Sequence, residues 1–236
     1  GGFVATLYND RLQVVRASDD QVTMSNALST FLGTITNGRI CFSVDRFYIL
    51  AKTSTHTLYL VSYNPTTDAL TSLVTVESLG NNKRFDIEAV RNASSSHVIL
   101  MYHEIDAGAN DVLIKRYNSA GSQQGSTLTI AVAGETVNMV PAIEADEADN
   151  TVNAVIRDSS GAGATTLITY NFAGAILDGP TPITDGDFHS ICRLPARAGW
   201  NEHVAVVSTD SNEISVLWID VDAHTVTATR VISNAN

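Results

Sequence analysis

One unit recurs along this chain, and its spacing limits what the chain can fold into. Each copy contains an apolar strand, followed by a second strand that ends in a tight polar turn. The second strands reach their turns at Tyr63, Tyr117, Tyr170 and Ile219, and a weaker copy reaches its turn at Arg16. These anchors are 47, 54, 53 and 49 residues apart. Such regular spacing of short strands indicates a repeat architecture.

A period of about 40 to 50 residues built from short strands is typical of β-propeller blades. Each full repeat has a short inner strand, two apolar middle strands and a Thr-rich outer strand, as an up-and-down blade requires. We therefore predict an all-β fold, a β-propeller of five four-stranded blades within one domain. The predicted blades cover approximately residues 1–38, 39–83, 84–137, 138–188 and 189–236.

The first copy is incomplete, because no residue before Phe3 can supply its inner strand. A propeller needs its edge strands paired, so we predict closure between the two ends of the chain. A segment of a larger propeller and an open array are the alternatives. The stretch from Asp19 to Leu32 can hold one short helix. The chain begins without Met, as a processed product or a fragment would.

Composition narrows the classes of function. The net charge is -11 and no basic stripe is present, which argues against nucleic-acid binding. The sequence contains no run of 18 or more apolar residues, so we predict no membrane-spanning helix. Polarity comes mostly from Thr, Ser, Asn and Gly, a mixture that we associate with extracellular or virion-surface proteins. Cys41 and Cys192 begin non-neighbouring repeats, so we predict two buried free thiols and no disulfide.

One repeat resembles a known family. The segment from Asp111 to Gly121 contains Arg116-Tyr117-Asn118 followed by Gly121. It is similar to the tandem-repeat propellers of bacterial secreted and surface proteins and of phage virion proteins, in which an Arg-Tyr-Asn-x-x-Gly turn follows a strand. The resemblance implies a propeller used for adhesion, binding or assembly, and it implies no catalytic residue.

Two sets of loops in a propeller share one face, and binding usually resides in loops on a rigid scaffold. One set enters each inner strand, and the other joins the two middle strands. We call this end of the blades the loop face. Our alignment places the following charged and histidine residues there, and we predict that they bind ligand: Lys83, Arg84, His103, Glu104, Arg157, Asp158, Asp187 and His189.

The acidic, Lys-poor composition, rich in Thr, Ser, Asn and Gly, favours a non-enzymatic binding or structural module. It would be a phage tail, fibre or decoration component, or a secreted or cell-surface adhesin, with a glycan or a protein as ligand. Other virion or surface subunits, including copies of the same chain, are further expected partners.

The alternative is a five-bladed glycoside hydrolase. It would place two carboxylates about 5 to 10 Å apart at the mouth of the propeller's central channel. Pure scaffolding is a third option. No motif predicts a metal or cofactor site. We expect Trp218 in the core, and Trp200 in a loop opposite the loop face.

Overall fold

The computed structural model describes most of the chain, in thirteen segments. These are residues 3–8, 11–18, 21–43, 46–78, 85–92, 95–106, 109–131, 142–146, 150–157, 165–184, 187–193, 202–208 and 213–234. Within them the chain is almost entirely β-strand, and the strands form five separate sheets. The prediction of an all-β repeat fold is therefore confirmed.

Strands follow one another in space as they do in sequence in every sheet. The first sheet has three: β1 (Phe3–Tyr8), β2 (Arg11–Arg16) and β3 (Gln21–Ala27). A one-turn helix, α1 (Ser29–Leu32), precedes the second sheet, which contains β4 (Ile35–Ser43), β5 (Arg46–Thr53), β6 (Thr57–Asn64) and β7 (Ala69–Ser78).

The remaining three sheets repeat the four-strand order. The third contains β8 (Phe85–Asn92), β9 (Ser95–Asp106), β10 (Ala109–Asn118) and β11 (Leu128–Ala131). The fourth contains β12 (Ala142–Asp146), β13 (Thr151–Arg157), β14 (Thr165–Asn171) and β15 (Ile176–Thr184). The fifth contains β16 (Asp187–Arg193), β17 (Glu202–Ser208), β18 (Glu213–Asp220) and β19 (Thr225–Asn234).

The anchor turns of the sequence repeat share one hydrogen-bonding device. Asn64 ends β6, and its Oδ1 accepts hydrogen bonds from the backbone N–H of Thr66 at 2.9 Å and of Thr67 at 3.3 Å. Such side-chain bonds to the following backbone fix a tight turn after a strand. The residues equivalent to Asn64 act in the same way: Asn118, Asn171 and Asp220. In the first copy the anchor Arg16 is followed by Ala17, whose side chain has no acceptor oxygen, so that copy lacks this turn device.

The residue before each of these turns is buried. Tyr63, Tyr117, Tyr170 and Ile219 are all at most 3% exposed. The Tyr63 hydroxyl donates to Asp68 Oδ1 at 2.9 Å, whereas the buried Tyr170 hydroxyl has no hydrogen-bond partner. Burial raises the Tyr170 pKa well above its ordinary value. At this position these four repeats therefore share burial of the side chain rather than a common hydrogen-bond partner.

Contacts divide the chain into two compact units. The first comprises Gly1–Lys83, Ile87–Ile99 and Arg116–Gln124, and its core packs Leu12 and Val14 of the first sheet against Ile49 and Tyr63 of the second. The second comprises Arg84–Asp86, Leu100–Lys115 and Gly125–Asn236, and its core packs the fourth sheet against the fifth. Each unit is thus held together by apolar contact between successive sheets.

The sheets differ in how many of their faces are buried. Every residue from Thr165 to Tyr170 of β14 is buried, so both faces of the fourth sheet are covered there. In the first sheet the burial of β2 alternates at Arg11–Val14, with Leu12 and Val14 at 0% exposure. Its other face carries Val4 at 58% and Val22 at 50% exposure. As far as its side chains are described, the first sheet is covered on one face only.

Several sequence-based expectations need correction. Cys41 and Cys192 are free, as predicted, but neither is buried: Cys41 is half-buried and Cys192 is exposed, because each lies on an inner strand with one partly open face. Trp218 is only half-buried and does not belong to the core. The short helix predicted between Asp19 and Leu32 is confirmed as the four residues of α1, and the strand β3 precedes it. Trp200 lies outside the described residues.

Candidate functional site

At one end of the second sheet, two loops meet. Thr34 lies in the connection that enters the inner strand β4, and Ser54 lies in the hairpin that joins the middle strands β5 and β6. The Ser54 N–H donates to the Thr34 carbonyl oxygen at 2.8 Å. In the second sheet, the two loop sets that define the loop face are therefore joined at one end.

Hydroxyl groups tie this end together. Thr53 is 2% exposed, and its Oγ1 lies 2.9 Å from Thr55 Oγ1 and accepts the Thr57 N–H at 3.2 Å. On β4, Thr36 Oγ1 donates a hydrogen bond of 3.2 Å to the Lys52 carbonyl oxygen. We call the following residues the loop-end cluster: Thr36, Asn37, Thr53, Ser54, Thr55, His56 and Thr57.

His56 is the most constrained member of the loop-end cluster. Its φ of 63° lies in the left-handed region, which a non-glycine residue rarely adopts. Its Nδ1 is buried and has no hydrogen-bond partner. An unusual backbone conformation beside an unsatisfied polar atom costs free energy, and such costs concentrate at functional sites.

Exposed members of the loop-end cluster offer hydroxyl and amide groups on a rigid turn. Thr36, Asn37, Ser54 and Thr55 are exposed. Residues 34–39 and 52–57 include no Asp or Glu. This end of the second sheet can therefore donate and accept hydrogen bonds, but it lacks the carboxylate pair that glycoside hydrolysis needs.

Of the eight residues predicted to bind ligand, five lie in strands and three lie outside the described residues. His103 and Glu104 lie within β9, Arg157 ends β13, and Asp187 and His189 lie within β16. Strands in these sheets therefore extend further than the sequence indicated. The other three predicted residues lie outside the described residues: Lys83, Arg84 and Asp158.

A second polar feature, which sequence reasoning missed, crosses the fourth sheet. The strand register places Glu144, Asn153, Thr169 and Asp178 in one row across all four strands. Asn153 is fully buried, Thr169 is 8% exposed, and the Thr169 hydroxyl donates to Asn153 Oδ1 at 2.7 Å. We call these four residues the polar row.

His224, from the turn between β18 and β19, contacts the polar row. It is 6% exposed, its φ is 50°, and its Nε2 lies 2.7 Å from Thr169 Oγ1. Since the single Thr169 hydroxyl hydrogen goes to Asn153, Nε2 carries the hydrogen that is shared with Thr169 Oγ1. In the neutral ring, Nδ1 then accepts from the Thr181 hydroxyl at 3.4 Å. The imidazole thereby fixes the fifth sheet on the fourth.

The buried members of the polar row satisfy one another, so we interpret them as structural. Glu144 is half-buried. Asp178 is exposed over 59% of its side chain, and its Oδ2 lies 4.0 Å from His224 Nε2. The sequence did contain a signal for this row, because Asn153 interrupts the apolar run from Val152 to Ile156. A buried amide in such a strand requires a partner.

The charge of a member of the polar row acts on the thiol of Cys192. Partial burial, followed by the negative charge of Glu144, raises the pKa of its thiol. Among the described residues, no group of three side chains could hold a metal ion. No helix in the described part of the chain is long and apolar enough to cross a membrane.

No protein-family model and no curated protein matches the sequence. Solved structures do match the fold. The SapL1 lectin in complex with α-methyl fucoside aligns with a TM-score of 0.64 at 6% identity, covering 99% of this chain and 76% of that one. A mutant of the Aleuria aurantia lectin in complex with α-methyl-L-fucoside aligns with a TM-score of 0.56 at 9% identity, covering 98% and 76%.

The Dos1 propeller also aligns, with a TM-score of 0.57 at 15% identity, covering 91% of this chain and 52% of that one. At these identities the comparisons establish the fold alone. Together with the repeated four-strand sheets and their shared turn, they define the chain as a β-propeller repeat protein.

Proposed function

We propose that this chain is a non-enzymatic, carbohydrate-binding propeller module. It would be displayed on a virus particle, as a phage tail, fibre or decoration component, or on a cell surface or in secretion as an adhesin. Ligand would bind at the loop face. We propose the loop-end cluster as one part of that face, and the eight residues predicted from sequence remain its other proposed members.

The observation that carries the proposal is the composition of the loop-end cluster. Sugar hydroxyls are recognised by neutral donors and acceptors held in fixed positions, and this cluster presents three exposed hydroxyls and one amide on a hydrogen-bonded turn. Two of the similar solved structures are lectins that hold a methyl fucoside on a similar fold. Their ligands support a sugar as the ligand class here.

A glycan array with the purified chain tests this proposal. The expected result is binding to a defined subset of glycans, reduced by Thr55→Ala and by Asn37→Ala. Each substitution removes a side chain that can hydrogen-bond a sugar hydroxyl, and each loss is expected to weaken binding roughly five- to tenfold. Thr66→Ala is the matched control, because Thr66 is an exposed threonine in the turn at the opposite end of the same sheet.

The same array includes Glu104→Ala, Arg157→Ala and Asp158→Ala to test the residues predicted from sequence. Equal losses with Thr66→Ala and Thr55→Ala would place the ligand elsewhere. Release of free sugar from bound glycans, abolished by Glu104→Ala or Asp158→Ala, would instead establish the glycoside hydrolase alternative. Absence of binding to every glycan would overturn the proposal.

A further inference from the structure

The loop-end cluster contains the single Asn-Gly dipeptide of this chain, at Asn37 and Gly38. Asn37 is exposed, and its Oδ1 accepts a hydrogen bond of 2.8 Å from the Gly38 N–H. The amide side chain is therefore folded back onto the backbone nitrogen that follows it. Since a C=O bond is about 1.2 Å long, Asn37 Cγ lies within roughly 4 Å of that nitrogen. This separation is close to the range of about 3 to 3.5 Å from which a bond can form.

The strand pairing is interrupted just before Asn37. Ile35 pairs with Thr53 and Asn37 pairs with Lys52, so Thr36 is an extra residue on β4. Such a bulge disrupts the ladder locally and leaves the extra residue without a cross-strand partner. Among the described residues, β4 also lies at the edge of its sheet and pairs only with β5. A small change of the torsion angles at Asn37 therefore disturbs few ladder hydrogen bonds.

Packing favours glycine at position 38. A Cβ atom added to Gly38 would collide with the Leu7 side chain of β1. The contact between the first two sheets thus excludes a side chain at this position, for a reason unrelated to Asn37. Without a side chain, the nitrogen of Gly38 can be approached closely by the group that precedes it. The fold therefore keeps a reactive dipeptide in the loop-end cluster.

Asn118, in an anchor turn, lacks this arrangement and serves as an internal comparison. Its Oδ1 accepts hydrogen bonds from the N–H groups of Ala120 at 3.0 Å and of Ser122 at 2.9 Å. The amide is thus held by residues further along the chain. The next residue is Ser119, whose side chain crowds its own nitrogen. Asn118 should therefore react with the backbone more slowly than Asn37.

We propose that Asn37 is a site of spontaneous deamidation. The Gly38 nitrogen loses its proton and attacks Asn37 Cγ, which forms a five-membered cyclic imide and releases Asn37 Nδ2 as ammonia. Water then opens the imide at either of its two carbonyl carbons. The products are aspartate and isoaspartate at position 37. Water is the only co-reactant, and it reaches the site because Asn37 is exposed.

The consequence for binding rests on the proposed function. An amide both donates and accepts hydrogen bonds, whereas the carboxylate that replaces it only accepts. Isoaspartate in addition inserts a methylene group into the backbone of β4. Both products therefore remove a donor that a sugar hydroxyl can use, and both introduce a carboxylate into segments 34–39 and 52–57, which have no Asp or Glu. Deamidation would thus limit how long the loop-end cluster binds sugar.

Peptide mapping by mass spectrometry tests the chemistry on the full chain during incubation at neutral pH. A mass increase of about 1 Da is expected in the peptide that contains Asn37, because NH₂ is replaced by OH. It should accumulate at least roughly tenfold faster than in the peptide that contains Asn118. Both aspartate and isoaspartate should form, since direct hydrolysis of the amide gives aspartate alone.

Two variants should suppress this mass increase. Gly38→Ala crowds the attacking nitrogen, and Asn37→Gln, a change at an exposed side chain, would have to close a six-membered ring instead. Each is expected to slow the reaction at position 37 by roughly tenfold or more. Equal rates at Asn37 and Asn118 would overturn the proposal, as would aspartate without isoaspartate.

Glycan binding distinguishes this proposal from the proposed function. Asn37→Asp copies one product and should weaken binding roughly five- to tenfold. Binding by the unmodified protein should fall during incubation in proportion to the deamidated fraction, whereas Asn37→Gln should keep the binding that it has when fresh. An equal decline in Asn37→Gln would contradict the link to binding. If the fresh protein binds no glycan, the proposed function fails, and the mass increase at Asn37 still decides the chemistry.

Discussion

The first and fourth sheets are built from the same repeat, yet they differ in how completely they are enclosed. The fourth sheet has four strands, and β14 is buried from Thr165 to Tyr170. Among the described residues, the first sheet has three strands and one open face, and its edge strand β1 pairs only with β2. Because both sheets follow one sequence pattern, the difference shows that the pattern specifies strands and turns, whereas neighbouring sheets determine which faces are enclosed.

The enclosed sheet should be most sensitive at Gly179. Its φ is +91°, and an added Cβ would lie 2.5 Å from the Leu167 carbonyl oxygen, which belongs to the backbone and cannot move aside. We expect Gly179→Ala to lower the free energy of unfolding by more than about 3 kcal/mol, measured by urea denaturation.

Two glycine controls separate the causes. Gly174 has the same φ but nothing within 4 Å of its added Cβ, so Gly174→Ala should cost only about 1 kcal/mol. At Gly38 the collision is with the mobile end of the Leu7 side chain of the first sheet, and the cost of Gly38→Ala should also be about 1 kcal/mol. Equal effects at all three glycines would contradict this interpretation.

Deleting apolar side chains should show the same contrast. Leu167 in the fourth sheet is fully buried, so Leu167→Ala should destabilise the protein by about 2 to 4 kcal/mol. Val4 in the first sheet is 58% exposed, and Val4→Ala should change the free energy of unfolding by less than about 0.5 kcal/mol. A large effect at Val4 would show that the open face is covered in solution.

Threonine-to-valine substitutions test the polar row. Thr169→Val keeps the side-chain shape but removes the hydroxyl that bonds both Asn153 and His224, leaving buried polar groups unpaired. The expected loss is about 1 to 3 kcal/mol in thermal or urea unfolding. Thr6→Val, at an exposed position of β1, is the matched control and should be nearly neutral. A neutral Thr169→Val would mean that the row contributes little to stability.

The smallest expected effect concerns Cys192, beside the polar row. Its raised pKa reduces the thiolate fraction at a given pH, so alkylation by iodoacetamide should be slower at neutral pH than for an unperturbed thiol. The pH profile of the rate should move toward lower pH in Glu144→Gln, because the carboxylate charge that raises the pKa is gone. An unchanged profile in that variant would exclude Glu144 as a cause.

The sequence predicted most of the strands and turns of the fold, but little of the candidate functional site. The turns at Asn64, Asn118, Asn171 and Asp220 depend on local side-chain to backbone bonds, so their pattern is visible in the sequence. Strand ends were harder, because tertiary pairing extends β9 through His103 and Glu104, which the sequence had indicated as loop residues.

The contact between His224 and Thr169 could not be predicted, since it joins two sheets whose packing no local pattern specifies. The same is true of the exposure of Cys192, which depends on what covers one face of β16.

Hydrogen exchange of the backbone amides tests the central contrast most directly. In the free protein, alternate amides of β1, within residues 3–8, should exchange at least about 100-fold faster than those of β13, within residues 151–157, which pairs with strands on both sides. Uniformly slow exchange throughout residues 3–8 would contradict the account, because it would mean that β1 already has a partner on its second edge.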